Sequence, residues 1–176
     1  TPAERAMHRA LSDYVRLVAR QHLHSTAAAR LAMVVLSRRG CSSAAALARS
    51  VERRLQLLDA TGEAPVQAAL PFDSGMAEDD EPLGELAAPG LGEPEDERMR
   101  LEAILALARD AQDRESKVHA IRRLLRRSTD RAIVFTEYRD TLDAIAGALQ
   151  EFNCVLLHGA LAASDRREVL RQFASG

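Results

Sequence analysis

Two short clusters carry side chains suited to holding a polyanion: Thr136-Glu137-Tyr138-Arg139 and His158-Gly159. Thr136 and Tyr138 supply hydroxyl donors, the second on an aromatic ring, and Arg139 supplies a permanent charge. His158 adds a ring nitrogen, and Gly159, without a Cβ, lets another backbone approach closely. A helix starting just after Gly159 would offer free N–H groups to a phosphate. Contacts of this kind grip a nucleic-acid backbone and carry little base information. Each residue also has a plainer use: Tyr138 in packing against a neighbouring part of the protein, His158 in a buried hydrogen bond, and Arg166 in a salt bridge to Glu137 or Asp140.

The elements that must position these clusters are legible as a repeating pattern. Residues 132–135 (AIVF) form an apolar run too short for a helix and rich in β-branched and aromatic side chains, which reads as a buried parallel strand. Leu142, Ile145, Ala146, Leu149 and Phe152 follow at the spacing of an amphipathic helix. A second apolar run, residues 155–157, ends at His158-Gly159. A further helical pattern puts Val169, Leu170 and Phe173 on one side and leaves Arg166, Arg167 and Arg171 for the other. Strand, helix, strand, helix with short connections is a βαβ arrangement with a right-handed crossover. Both polar clusters then sit at the carboxyl ends of strands, where open parallel sheets bind ligands.

VFTEYRDTLD, followed about twenty residues later by LHGALAASDRREVLRQF, resembles the opening of the second RecA-like lobe of superfamily-two helicases, with the Swi/Snf-type bacterial helicase-like ATPases the nearest pattern. The first segment is similar to motif IV of that family. The His-Gly segment, with Arg166 seven residues after the Gly, is similar to its next block. The resemblance covers the last 60 or so residues, counting the lead-in Ser116-Lys117-Val118. It departs at Ala162, where relatives carry a helix-capping Ser or Thr. The resemblance implies an ATP- and Mg²⁺-dependent parent protein that moves along duplex DNA, in a bacterial, nucleoid-associated setting and in company such as the transcription machinery. It requires residues 132–135 and 155–157 to lie side by side in a parallel sheet.

Composition separates the chain into unlike parts. Residues 63–97 hold 11 acids and no base, so the remainder has 15 acids against 24 basic residues, nearly all Arg. A surplus that basic suits nucleic acid, and it equally suits solvated Arg-rich helices. Residues 61–97 also contain five of the six prolines and the run Glu78-Asp79-Asp80-Glu81, and read as a flexible acidic linker. The two cysteines, Cys41 and Cys154, lie far apart and suggest reduced, buried thiols, with neither a zinc site nor a disulfide framework. No apolar run is long enough to span a bilayer and no signal segment opens the chain, so a cytoplasmic protein with no membrane partner is expected. The missing initiator Met, and the end at Ala174-Ser175-Gly176 in mid-pattern, suggest a piece of something longer.

Along the first third, Thr1 reads as an N-cap with Pro2 at the first helical position. Met7, Ala10, Leu11, Tyr14 and Val18 share one face, and Arg5, Arg9, Arg16 and Arg20 share another. His22 and His24 fall near that helix's end, without further metal ligands nearby. Residues 31–36 (LAMVVL) are apolar all round, which predicts a buried helix, with Gly40 as its C′ residue. Ser42 or Ser43 caps the next helix, which runs through Leu47, Val51 and Leu55. Arg38, Arg39, Arg49, Arg53 and Arg54 are open to phosphate contact or to salt bridges. A helix resumes near Glu95, with Met99, Leu101, Ile104, Leu105 and Ala108 on its apolar face, and Ser116 caps another. This third resembles, less specifically, the inter-lobe helical region of the same family.

Catalytic machinery is missing from the pattern. There is no GxxxxGK[ST] to cradle phosphates, no DEAH-like pair for Mg²⁺ and no nucleophile elbow, so the chain by itself is expected to be inactive and to bind no cofactor. The expected fold is mostly α with a partial α/β unit. It comprises an N-terminal helical bundle (1–60), a disordered acidic linker (61–97), and the start of the second lobe as a truncated RecA-like βαβα (98–176). Nucleic-acid contact is expected at Thr136, Tyr138, Arg139, His158 and Gly159. Two lone strands would leave an open apolar edge, which predicts dimerisation or exchange of segments. The competing reading is a non-enzymatic α-helical protein-interaction module.

Overall fold

A computed structural model describes residues 1–21, 27–60, 86 and 90–175. Its elements are α1 (Pro2–Gln21), α2 (Ala27–Ser42), α3 (Ala44–Ala60), α4 (Pro94–Gln112), α5 (Ser116–Leu125), α6 (Arg139–Ala148) and α7 (Ala163–Ser175). The predicted linker falls largely outside the described residues, as do His22 and His24.

Helix α1 forms as its spacing predicts, with Met7, Leu11, Tyr14 and Val18 buried. The Glu4 N–H donates to Thr1 Oγ1 at 3.2 Å, the expected N-cap. Helix α2 is less simple. Ala32, Met33 and Leu36 are buried while Leu31 and Val34 face outward, so the LAMVVL run is one-sided and not wrapped in protein. Nor does Gly40 end the helix, which continues to Ser42. A Cβ on Gly40 would stand 2.6 Å from Leu11 Cδ2 and 3.5 Å from Leu47 Cδ2, so the glycine is there to let α1 and α3 close on α2. Gly40→Val is expected to cost about 1–3 kcal/mol by overpacking this crossing, read as a lower urea midpoint at unchanged m. Ser43 is the cap of α3: its Oγ accepts from Ala46 N–H at 3.0 Å.

Helix α4 completes a four-helix core with α1, α2 and α3. Leu101, Ile104, Leu105 and Ala108 are buried as expected, but Met99 points out. The packing partners of α4 are α1 and α3, so it belongs with the helices before the acidic segment. The end of that segment is structured too. Leu86, Gly90 and Leu91 are buried on the bundle, and Pro94 opens α4 with Glu95, Asp96 and Glu97 in its first turn. Acids there complement the positive end of the helix dipole.

Beyond Ser116 the chain is loosely covered. Only Val118, Leu149 and Thr141, with the neighbouring Glu115, are buried, and α7 buries nothing among its described residues. Residues 132–135 and 155–157 have no regular secondary structure and form no ladder, and no strand occurs among the described residues. The predicted parallel pair is therefore absent. Both runs instead border one apolar hollow of about 550 Å³, lined by Val134, Val155, Leu142, Ile145, Leu149 and Phe173. Residues of both runs face this shared hollow, and no backbone hydrogen bond joins one run to the other. Ile133 and Phe135 are left exposed, Phe135 at 88%. Both cysteines are exposed as well, against expectation.

Candidate nucleic-acid interface

Tyr138 has extended backbone (φ −112°, ψ 139°) and leads directly into α6 as its N-cap, which brings the residues on either side of it against the bundle. Glu137, Tyr138, Asp140 and Thr141 turn toward it. Arg38 meets Glu137 at 3.1 Å, and Arg39 and Arg49 both meet Asp140, the latter at 3.8 Å. The Arg39 guanidinium also lies over the Tyr138 ring, 4.8 Å from its centroid. Thr141 Oγ1 sits between the hydroxyls of Ser42 (2.9 Å) and Ser43 (2.8 Å). Burial and then the Glu137 charge push the Tyr138 hydroxyl above its ordinary range, so it remains a neutral donor.

Two of the predicted contact residues meet on the outer side. Arg139 Nη1 lies 2.9 Å from His158 Nδ1 and Arg139 Nε 3.3 Å from Asp143. Because guanidinium only donates, His158 Nδ1 accepts and its other nitrogen carries the proton. Arg139 is thereby held beside the second cluster, 19 positions along the chain. Gly159 is exposed, and a Cβ there would meet nothing within 4 Å, so a ligand backbone has room to approach. Its carbonyl accepts from Arg166 Nη2 at 2.5 Å, and Leu161 O accepts from Arg166 Nε at 2.9 Å. Arg166 thus braces the turn before α7 through carbonyls rather than through Glu137 or Asp140. That turn needs a brace because Ala162 has no capping side chain. Thr136 is half-buried and borders the apolar hollow, apart from the Arg139–His158 pair.

The start of α5 shows contacts that sequence spacing does not reveal. Glu115 is buried and accepts from the Ala44 N–H at the first turn of α3. Burial, and to a lesser degree the charge of Glu4, raise the Glu115 carboxyl, against the pull of that N–H. Lys117 Nζ donates to the Cys41 and Ser42 carbonyls, the latter at 3.1 Å, at the end of α2. A carboxylate at a helix start and an ammonium at a helix end both oppose the local dipole charge. Ser116 does not cap α5. Its N–H and Oγ both donate to Glu4 Oε1 at 2.9 Å. The only sequence signal for these partners is the acid-Ser-Lys order itself.

Of the basic residues left open between phosphate and salt bridge, Arg38, Arg39, Arg49 and Arg54 all have carboxylate partners within the chain. Among the described residues no group of three His, Cys, Asp or Glu is arranged to hold a metal ion, and no helix is long and apolar enough to cross a membrane. No curated protein and no solved structure matches the chain. From Ser116 onward the sequence is similar to that of helicases, by a match of residues 116–176 to the model of the helicase conserved C-terminal domain.

Proposed function

We propose that the chain is part of a Swi/Snf-type, superfamily-two helicase-like DNA translocase, whose ATPase duplex DNA stimulates. The observation that carries this reading is the family match over residues 116–176, which contain both polar clusters in order. In this reading residues 1–60 are inter-lobe helices, and the apolar runs 132–135 and 155–157 become strands of a RecA-like βαβα sheet once neighbouring strands complete it. ATP and Mg²⁺ belong to the parent protein. The sequence has no GxxxxGK[ST] phosphate-binding loop. This chain's own contribution is grip: Arg139, held by His158 and Asp143, takes a backbone phosphate beside the open Gly159 turn, and Tyr138 and Thr136, turned here to the bundle and to the hollow, join it once the segment rearranges. The setting is bacterial cytoplasm and nucleoid, with partners such as the transcription machinery.

Duplex-DNA titrations at several salt concentrations test the reading. Phosphate contacts release counterions, so affinity should fall steeply as salt rises. Arg139→Ala should weaken binding by about tenfold at low salt and reduce the salt slope by about one. His158→Ala should weaken it less, by freeing Arg139 to wander. In the parent protein both changes should depress DNA-stimulated ATPase. A flat salt dependence would point instead to the helical protein-interaction module.

A further inference from the structure

The contact between the bundle and the helicase-like segment is charged at its centre. Three guanidiniums from α2 and α3, those of Arg38, Arg39 and Arg49, face two carboxylates at the start of α6, Glu137 and Asp140. The three are not alike. Arg39 is only 5% exposed, whereas the Arg38 and Arg49 side chains are 64% and 61% exposed. Arg39 is also secured to the bundle independently of Asp140, because its Nε donates to Ala46 O at 3.2 Å. The two outer arginines have only the α6 carboxylates as charged partners among the described contacts. Such exposed pairs are weak and screened by salt.

We propose that Glu137 and Asp140 form an electrostatic latch, standing in for phosphates on Arg38 and Arg49, and that duplex DNA displaces them and frees α6 from the bundle. This rests on the nucleic-acid reading above. A carboxylate and a phosphodiester both present two oxygens to a guanidinium fork, so one replaces the other without rebuilding the site. The cluster has one positive charge more than the latch neutralises, and a phosphate backbone satisfies that surplus. Arg139 lies between Glu137 and Asp140 in sequence and faces the other way. A backbone gripped there holds the outer side of the same short segment whose inner side carries the two carboxylates. When the latch opens, Arg39 keeps Ala46 O as a partner and is uncovered to water as α6 leaves it.

Cys41, near the end of α2, and Cys154, beyond α6, are the only cysteines in the chain and both are exposed. Spin labels on them report the separation of the two parts in the intact chain. Adding a short duplex should shift the label distance or broaden its distribution, and so should raising salt from about 50 to 200 mM. Glu137→Gln should raise duplex affinity about threefold, and Arg49→Ala should lower it about threefold with a salt slope shallower by about one. Both positions are exposed, and unchanged thermal melting verifies that the variants fold. The latch is overturned if these two variants leave affinity and label distance unchanged while Arg139→Ala still weakens binding; the nucleic-acid reading then survives. If no protein in the series shows salt-dependent duplex binding, both readings fall together.

Discussion

Arg54→Ala is expected to destabilise the chain by about 3–5 kcal/mol, the cost of stranding a buried carboxylate without its partner. The pair it breaks is the most enclosed in the structure, with Arg54 and Glu97 side chains 0% and 1% exposed. Glu97 Oε1 accepts from Arg54 Nη2 at 2.6 Å, from Arg54 Nε at 2.9 Å and from Tyr14 OH at 2.7 Å. Its Oε2 accepts from the Gly90 and Leu91 N–H groups at 2.9 and 2.8 Å. Arg54 Nη1 donates to Leu86 O at 2.8 Å, so one ion pair ties the end of the acidic segment to three helices. Gly90 must be glycine here: a Cβ would stand within 3 Å of Tyr14 OH, Arg54 Nη2 and Glu97 Oε1. Tyr14→Phe should cost less, about 1.5–3 kcal/mol, since it removes one hydrogen bond to a charged acceptor.

The same pair sets an acid limit. Burial pushes the Glu97 carboxyl up, but the Arg54 charge, the Leu91 N–H and the Tyr14 hydroxyl together hold it below its ordinary range. A carboxyl depressed in the folded state contributes stability above its unfolded value, near about pH 4, and loses it as pH falls through the folded value. Urea midpoints of the unaltered chain should therefore drop on acidification into that window. Glu97→Gln should be less stable at neutral pH and should lose less on acidification. Parallel acid limbs in the two proteins would show that other carboxyls set the limit.

Glu97 also marks where sequence reading stops. Local pattern disclosed the α1 face, the Thr1 cap, the α3 stripe and the apolar positions of α4 other than Met99, because helical spacing reports burial wherever one face is covered. It placed Glu97 where the flexible acidic linker overlaps a helix resuming near Glu95, and gave it no core role, since the partners that make it a core residue lie 43 and 83 positions away. A signal was present: Pro94 followed by three acids is a helix start. Gly40 misled for the converse reason. A glycine near basic residues looks like a helix end, and only the approach of Leu11 shows that it is a packing position. At the candidate interface the residue types were legible and their pairing was not. TEYRDT showed which groups were available, but that Asp140 meets Arg39 while Arg139 meets His158 follows from how the start of α6 lies on α2 and α3.

Leu101→Ala should cost about 2–5 kcal/mol, the range for truncating a large buried aliphatic side chain. Phe135→Ala should change stability by no more than about 0.5 kcal/mol, as expected of an exposed position. The contrast runs against residue size, because phenylalanine removes more apolar surface, and only environment reverses it. Leu101 is wholly buried between α4 and the helices of the first third, while Phe135 is 88% exposed. Urea unfolding of the two variants beside the parent chain measures both. A large loss from Phe135→Ala would mean that residues 132–135 are packed in solution, by a paired strand or by a second copy over the hollow. A small one places the stability in the bundle and leaves the helicase-like segment joined to it by α5, α6 and the charged contacts at their starts. On that arrangement the segment is free to rearrange its two apolar runs without cost to the core, as a lobe that must still acquire its neighbouring strands requires.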